Sequence, residues 1–385
     1  MYPDLSYLFH DLFGTPYDNW TSIFKTFGIL LVSAILGASF FLYLELKRKK
    51  ENGTFKGEKV KTKLGEGPTT TELLLQGLLG FILGFKILHA FLNFAEFKKD
   101  AAEFIFSGQG NFLGGLVGAA LFAGIRYYEK QKARLDKPKI ITKTLYPHDR
   151  IGEITVMAAL SGVVGAKVFA IIENLPAFFA DPVGQFFSGN GLAIYGGLIG
   201  GFLGVGWYLR RHQIPMIHVM DAVAPALMVG YGIGRMGCHF SGDGDWGIVA
   251  GEQPDWWFLP DWLWAYDYPN NVAKDGVPIE GCEARYCSRL DPPVYPTPVY
   301  ETTMAFLIAG FLRFLSIRIS APGLLFFIYL TLNGIERFFI EKIRVNIKYD
   351  ITPSLQMTQA EIIAIVFMVL GLIGCYITYR QAKKA

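Results

Sequence analysis

What most restricts the fold of this chain is a succession of apolar stretches of about twenty residues, at 22–46, 73–94, 111–128, 152–174, 191–209, 215–237, 299–317, 322–343 and 361–379. A helix needs roughly 20 apolar residues to cross the hydrocarbon of a bilayer, and lipid offers no partner to an open backbone, so each stretch must close its own hydrogen bonds as a helix. With 52% hydrophobic and only 18% charged residues, the chain is too apolar for a soluble enzyme of 385 residues. The pattern predicts an all-α polytopic membrane protein with about nine transmembrane helices; the sixth and eighth windows are the least apolar. No Lys or Arg precedes Lys25 and no small-residue cleavage pattern follows the first window, so that window is expected to be a retained span rather than a signal peptide.

Lysine and arginine in short loops resist translocation, which fixes orientation. With the N-terminus outside, the inner loops and the C-terminal tail carry 23 Lys and Arg against 7 on the outer side. Nine spans then leave the C-terminus inside, in agreement with "YRQAKKA". The net charge of +3 is therefore a topological signal and gives no reason to expect nucleic acid. Cys282 and Cys287 share the longest outer segment as "GCEARYC", where an oxidising compartment would permit a disulfide across a very short loop; free thiols are the alternative.

Residues 72–110 recur at a spacing of 81. Glu72, Gly84, Lys86, Asn93 and Asp100 return as Glu153, Gly165, Lys167, Asn174 and Asp181, and Phe106, Ser107, Gly108 and Gly110 as Phe187, Ser188, Gly189 and Gly191. One inserted residue later, "GGLVG" at 114–118 matches "GGLIG" at 196–200. Each copy is a pair of spans joined by an outer loop, and both begin on the same side. The pairs Gly80 with Gly84 and Gly196 with Gly200 have the spacing that lets helix backbones approach closely in lipid, so packing is their expected role.

Charges inside spans cost about 2.5–3.5 kcal/mol at mid-bilayer and call for a partner or a function. Lys86 and Lys167 lie in the two copies with Asn93 and Asn174 two turns further on; a structural pair is one reading, contact with an anionic head group the other, and the latter suits Lys167 better. In "YLTLNGIERFFIEKIR", Asn333, Arg337, Glu341 and Arg344 are spaced 4, 4 and 3, one stripe of a helix that must face protein or water. Arg337 and Glu341 there are either a bundle-holding ion pair or a phosphate-binding guanidinium with its orienting carboxylate, since a planar guanidinium matches phosphate oxygens with two donors. Arg235, at the outer end of the sixth span in "GRMGCHFSGDGDWG", is the second candidate for the same anion. A calcium loop beginning at Asp243 is unsuitable, because its fifth and twelfth positions are Gly247 and Pro254. The adjacent Cys238 and His239 make poor joint metal ligands, so no metal or organic cofactor is expected. The tryptophans at 256, 257, 262 and 264 suit the lipid–water boundary or the guidance of a substrate.

Four stretches in order, "YGGLIGG" (195–201), "GRMGCHFSGDGDWG" (234–247), "YPTPVYE" (295–301) and "GIERFFIEKIR" (334–344), resemble the bacterial prolipoprotein diacylglyceryl transferases, whose motifs look like HGGLIG, GRxGNFxxxE, HPTxLYE and GxxRFxxExxR. The resemblance covers about 22–47 and 152–380 and implies a seven-span core, to which this chain adds a duplicated hairpin. It divides the chain into an outer N-terminal segment (1–21), the first core span (22–47), basic loops with the extra hairpin (48–150) and core spans (151–237). A small extracytoplasmic head (238–298), further core spans (299–380) and a cytoplasmic tail (381–385) complete it.

The resemblance implies transfer of the diacylglyceryl group of phosphatidylglycerol to the thiol of a prolipoprotein's lipobox cysteine, at the outer face of the cytoplasmic (inner) membrane. Partners would be that lipid, lipobox peptides and the membrane itself. The catalytic candidates are then Arg235, Arg337, His239, Tyr195 and Asp243. The substrate-binding candidates are Lys167, Asn174, Gly196, Gly197, Tyr300, Glu301, Asn333 and Glu341. Departures from the family pattern bear on the base: Tyr195 and Tyr295 stand where the family has histidine, and Cys238 followed by His239 where it has asparagine. Phe27-Gly28 replaces its Tyr-Gly, and Lys167 an arginine. His239, Asp243 and Asp245 are the alternatives for the base; His239 has the ordinary pKa nearest neutrality. A lipid or small-solute transporter built on the parallel repeat, and an inactive lipid- or precursor-binding relative, are the competing functions.

Overall fold

Apolar windows become helices because every backbone N–H and C=O then finds its partner within the segment, and a computed structural model of the chain realises this at each of the nine predicted places. It describes all residues except 100–103, 106, 188–192, 347, 353–354 and 385. Among the described residues a short helix, α1 (Leu5–Phe13), is followed by nine long ones: α2 (Thr26–Glu51), α3 (Thr70–Leu92), α4 (Phe112–Lys132), α5 (Ile151–Glu173), α6 (Ile194–Arg211), α7 (Met216–Ser241), α8 (Thr297–Ser316), α9 (Leu324–Glu341) and α10 (Gln359–Lys384). Six of them, α2, α3, α5, α7, α8 and α10, are long and apolar enough to cross a membrane by length and composition. The other three fall short for reasons visible in their sequences. Glycines dilute α4 and α6, and α9 carries Glu336, Arg337 and Glu341. The protein is a multi-pass helical membrane protein, with six spans established on those criteria where the sequence predicts nine.

Two compact units make up the chain: Met1–Phe55 together with Gln213–Ala385, and Lys56–His212. The division thus falls within the 151–237 stretch, and both copies of the repeat belong to the second unit.

Within Lys56–His212 the two copies fold alike. α3 packs on α4 and α5 on α6, at distances only glycine allows. A Cβ on Gly84 would stand 2.1 Å from the carbonyl oxygen of Gly114, and one on Gly165 would stand 2.3 Å from that of Gly196. The loop closes identically in each copy: Asn111 N–H donates to Phe85 O (2.9 Å) and Ala193 N–H to Ala166 O (3.0 Å). The acidic residue of each first turn is engaged at the far end of its hairpin. Glu72 pairs with Arg126 (3.4 Å) and Lys130 (2.9 Å), whereas Glu153 accepts from Tyr208 Oη and pairs with Arg150 (3.0 Å). A two-stranded antiparallel ribbon, β1 (Glu58–Leu64) with β2 (Lys139–Leu145), joins the chain entering the first copy to the chain entering the second.

The first unit is built on α7, which packs against α2 and α8, with α9 against α10. Ala224, Met228, Val229, Ala305, Ala309, Leu312 and Leu325 form its buried core. Small residues on the facing sides of α7 and α8 let the two helices close together, and this sets Arg235 and Glu301 opposite each other. At the other end of α7, buried Asp221 accepts from Gly323 N–H (2.8 Å) and Phe326 N–H (3.1 Å), so a carboxylate caps the start of α9 where the helix dipole is positive. α7 ends at Gly242 (φ 63°), whose N–H bonds back to Cys238 O. The segment that follows is the head. Its centre is Asn271, wholly buried, which donates to the carbonyls of Tyr268, Asp275 and Ser288 and accepts from Asp275 N–H. Cys282 and Cys287 are joined in a disulfide, settling the two alternatives.

Candidate functional site

Glu301 lies in the first turns of α8, 0% exposed, and four side chains from two other helices and one loop converge on it. Arg235 of α7 reaches it through Nε (2.6 Å), Arg337 of α9 through Nη1 (3.6 Å), Arg344 just beyond α9 through Nη1 (3.0 Å), and Tyr231 of α7 donates its hydroxyl. Arg235 and Tyr231 are four residues apart on one helical face, and the guanidinium lies over the ring at 5.4 Å. Arg337 and Glu341 are likewise four apart and paired at 3.1 Å, while Asn346 Nδ2 donates to Glu341 at 2.6 Å. The Arg337–Glu341–Arg344 part of the stripe read from the sequence is therefore a protein-facing edge. Asn333, one turn earlier, contacts Met228 Sδ at 3.8 Å and belongs to the helix packing.

The second bridge between the arginines is Asp245, which accepts from Arg235 Nη1 and from Arg344 Nη2. Local backbone pairing brings it there. Gly247 N–H donates to Tyr295 O (2.9 Å), Ile248 N–H to Ile343 O (2.8 Å), and Thr297 Oγ1 to Asp245 O (3.1 Å), so the strand after α7 is threaded between the start of α8 and the end of α9. A Cβ at Gly247 would meet Ile343 O at 2.7 Å, which explains a glycine at this point. Burial alone would raise the Asp245 carboxyl; the guanidinium groups of Arg235 and Arg344 outweigh it and hold the group below the ordinary carboxylate range. Three guanidinium groups thus face three carboxylates, Asp245, Glu301 and Glu341. A fourth carboxyl, that of buried Glu336, lies 3.4 Å from Tyr231 Oη.

Other predicted residues fall in different surroundings. His239, one turn beyond Arg235, is buried in an aromatic box: Nδ1 is 3.2 Å from Tyr268 Oη, and the rings of Trp262, Tyr266 and Phe240 surround it. Asp243 is exposed, and its carboxylate lies with Cys238 Sγ and Asp245 within a 4.8 Å cluster. That set has metal-ligand chemistry, but both Asp245 oxygens already accept from guanidinium groups. Arg235 Nη1 also reaches Cys238 Sγ at 3.8 Å. Tyr300 donates to Leu263 O (2.5 Å), and Tyr295 Oη accepts from Gly251 N–H (3.0 Å) while its ring meets Trp264 edge-on, so both fasten the head to α8.

The candidates of the other unit are accounted for on their own helices. Gly196 packs against Gly165 and Phe169, with Gly197 beside it on α6. Tyr195 is half-buried in the first turn of α6. Asn174 ends α5 and accepts from Ala177 N–H at 3.3 Å, capping the short helix Leu175–Ala180. Lys86 donates to the carbonyls of Ser107 (2.5 Å), Gln109 (2.7 Å) and Phe104 (3.2 Å), a structural role filled by loop carbonyls, while Asn93 Nδ2 donates to His89 O (3.1 Å). Two of the equivalent positions around Lys167, Ser188 and Asn190, lie outside the described residues.

Long apolar helices and a buried centre where arginines and carboxylates meet at the helix ends define a polytopic membrane protein with a buried charged site, a combination seldom maintained without a function. Residues 132–377 match the profile of the prolipoprotein diacylglyceryl transferases, and the chain belongs to that family. It is similar to three proteins named phosphatidylglycerol–prolipoprotein diacylglyceryl transferase. The relative from Leptospira interrogans is 26% identical over 239 residues, 54% of this chain and 66% of the relative. That from Dehalococcoides mccartyi is 26% identical over 239 residues, 62% and 79% of the two chains. That from Clostridium botulinum is 26% identical over 238 residues, 62% and 84%. The match thus spans just under two thirds of the Leptospira protein and about four fifths of the other two.

Arg344, Tyr231 and Glu336 were not among the predicted site residues, and Asp245 was named only as an alternative base. Arg344 carried a signal, being the fourth member of the stripe at the right spacing. Tyr231, four residues before Arg235, would follow from the same reasoning applied to α7.

Proposed function

We propose that this protein transfers the diacylglyceryl group of phosphatidylglycerol to the lipobox cysteine of prolipoproteins, working in the cytoplasmic membrane with its N-terminus outside and its C-terminus inside. The observation that carries the reading is the convergence of Arg235, Arg337 and Arg344 on the buried carboxylate Glu301, in a chain that belongs to this family. In the reaction the cysteine sulfur attacks the glyceryl carbon that bears the phosphate. The carbon–oxygen bond breaks, a thioether forms, and glycerol phosphate leaves with the bonding electron pair. The thiol proton passes to a base and ends on the departing phosphate or in water.

Arginines already aligned by carboxylates need little reorganisation to stabilise the charge that develops on the phosphate, which is where fixed electrostatics contributes most to rate. On this reading a phosphodiester takes a share of the donors now directed at Glu301 and Asp245. Arg235 and Arg337 are the phosphate ligands, and Glu341 orients Arg337. Tyr300, Asn333 and Glu301 support the pocket. Lys167, Asn174, Gly196, Gly197 and Tyr195 are the candidates for lipid contact on the second hairpin's own helices. His239 and Asp243 are the candidates for accepting the thiol proton, as residues beside Arg235 in sequence. The three named relatives are all transferases, which favours this reading over a transporter.

The test is expression in cells depleted of their own transferase, with a test lipoprotein analysed by mass spectrometry. A gain of one diacylglyceryl group supports the assignment, and its loss in R235A or R337A ties it to these residues. A well-expressed, membrane-inserted protein that leaves the precursor unmodified overturns it.

A further inference from the structure

The β1–β2 ribbon has no core beneath it. All seven residues of β2 except Leu145 are exposed, as are all of β1 except Val60. An isolated two-stranded ribbon is at best marginally stable in water, so this one calls for a surface to lie on. Its position is constrained at both ends. Leu64 is six residues from the start of α3, and Lys139 is seven from the end of α4, with Leu135 N–H donating to Gly65 O (3.1 Å) across the tip. At the base, Glu58 pairs with Arg150 (2.9 Å), immediately before α5, and lies 3.6 Å from His212, immediately after α6. The ribbon is therefore tethered to the same end of both hairpins and runs from one to the other, along the membrane plane rather than away from it.

Both of its faces are basic. Lys59, Lys61 and Lys63 share one face with Ile140, and Lys139 and Lys143, paired with Leu64 and Val60, share the other with Ile141. Segments 56–69 and 133–145 together hold eight Lys and Arg against three Asp and Glu, a net +5, and one of those acids, Glu58, is paired with Arg150. Exposed Ile140, Ile141 and Leu64 add apolar contacts among the lysines. Basic side chains held beside a membrane are attracted by anionic head groups within a Debye length of about 10 Å.

We propose that the ribbon is a docking surface for the anionic lipid head groups of the leaflet at this end of the hairpins, and that it holds the two copies of the repeat in register against that leaflet. The inference does not depend on the transferase reading, because none of the residues assigned to the reaction lies in it.

The experiment compares the full-length protein in nanodiscs of phosphatidylcholine alone with nanodiscs containing one third phosphatidylglycerol, by amide hydrogen exchange at 58–64 and 139–145. Each lysine near an anionic surface shifts the equilibrium roughly fivefold, so several acting together should slow ribbon exchange by at least about tenfold in the anionic discs. The slowing should vanish in 0.5 M salt and in a variant with Lys59, Lys61, Lys63, Lys139 and Lys143 all changed to Gln. Exchange in α7 and α8 is the folding control and should match in every sample. Equal ribbon exchange in the two lipids overturns the proposal. So does protection that survives in the Gln variant, or protection produced by added RNA in neutral discs but not by phosphatidylglycerol.

Discussion

Replacing Glu301 by glutamine separates its electrostatic role from its shape. The carboxylate is wholly buried and receives Arg235 (2.6 Å), Arg344 (3.0 Å), Arg337 (3.6 Å) and the Tyr231 hydroxyl. Glutamine keeps the volume and one acceptor oxygen, but it turns an NH₂ donor toward a guanidinium and removes one of the three negative charges that balance three arginines. Breaking a buried ion pair by removing one partner typically costs about 3–5 kcal/mol, because the remaining charge is left without compensation. With three cations leaning on one anion, Glu301→Gln should fall in that range, a drop in apparent melting temperature of roughly 10 °C for a unit of this size. The centre would then carry a net positive charge, so an anionic lipid should restore stability to the variant more than to the wild type. Thermal unfolding in neutral detergent, with and without added phosphatidylglycerol, measures both effects. A variant within about 1 kcal/mol of wild type, or one indifferent to the lipid, would refute the idea that Glu301 is the charge on which the arginines depend.

The remaining expectations concern other parts of the same construction. Arg344→Ala should reduce diacylglyceryl transfer by about 10²–10³-fold while the protein still inserts, the usual loss when one fixed donor is removed from a developing anion; the mass assay described above measures it. Asp245 has a folded-state pKa held below that of the unfolded chain, so its contribution to stability is present above the unfolded value near 3.9 and is lost as pH falls through the folded one. Melting curves from pH 7 to 2 should show an acid loss that is smaller in Asp245→Asn, which starts from lower stability at neutral pH. Gly84→Ala and Gly165→Ala should each cost about 1–3 kcal/mol, because the new methyl meets a backbone carbonyl at 2.1 or 2.3 Å. Gly124→Ala, with nothing within 4 Å, should be neutral or slightly stabilising in the same unfolding measurement.

Helices, repeat and glycine contacts were legible in the sequence because each rests on local periodicity. A span must be apolar for about twenty residues, and two hairpins packed through the same glycines must repeat them at the same spacing. Lys86 was legible for the same reason in reverse: a charge within a span must find partners, and here it finds loop carbonyls on its own hairpin. The ribbon was not legible as a strand pair. Its halves are separated by a whole hairpin, and "EKVKTKL" and "KIITKTL" read first as basic loops, since the positive charge that signals topology masks the alternation that signals a strand.

The centre shows the limit of motif reading most clearly. "SGDGDWG" offers two aspartates two residues apart, and spacing alone cannot choose between them. The choice is made 95 residues away, where Ile343 O accepts from Ile248 N–H and sets the register of the strand, so that Asp245 bridges the arginines and the more exposed Asp243 does not. A shift of one residue in that pairing would carry Asp245 away from the arginines without putting Asp243, two residues earlier, in its place. Gly247 makes the register possible, because a Cβ there would meet Ile343 O at 2.7 Å. The bridge across the arginines is therefore specified by a glycine and a backbone hydrogen bond as much as by the carboxylate. Filling Gly247 with any side chain should displace Asp245 from Arg235 and Arg344 even though every charged residue remains in place.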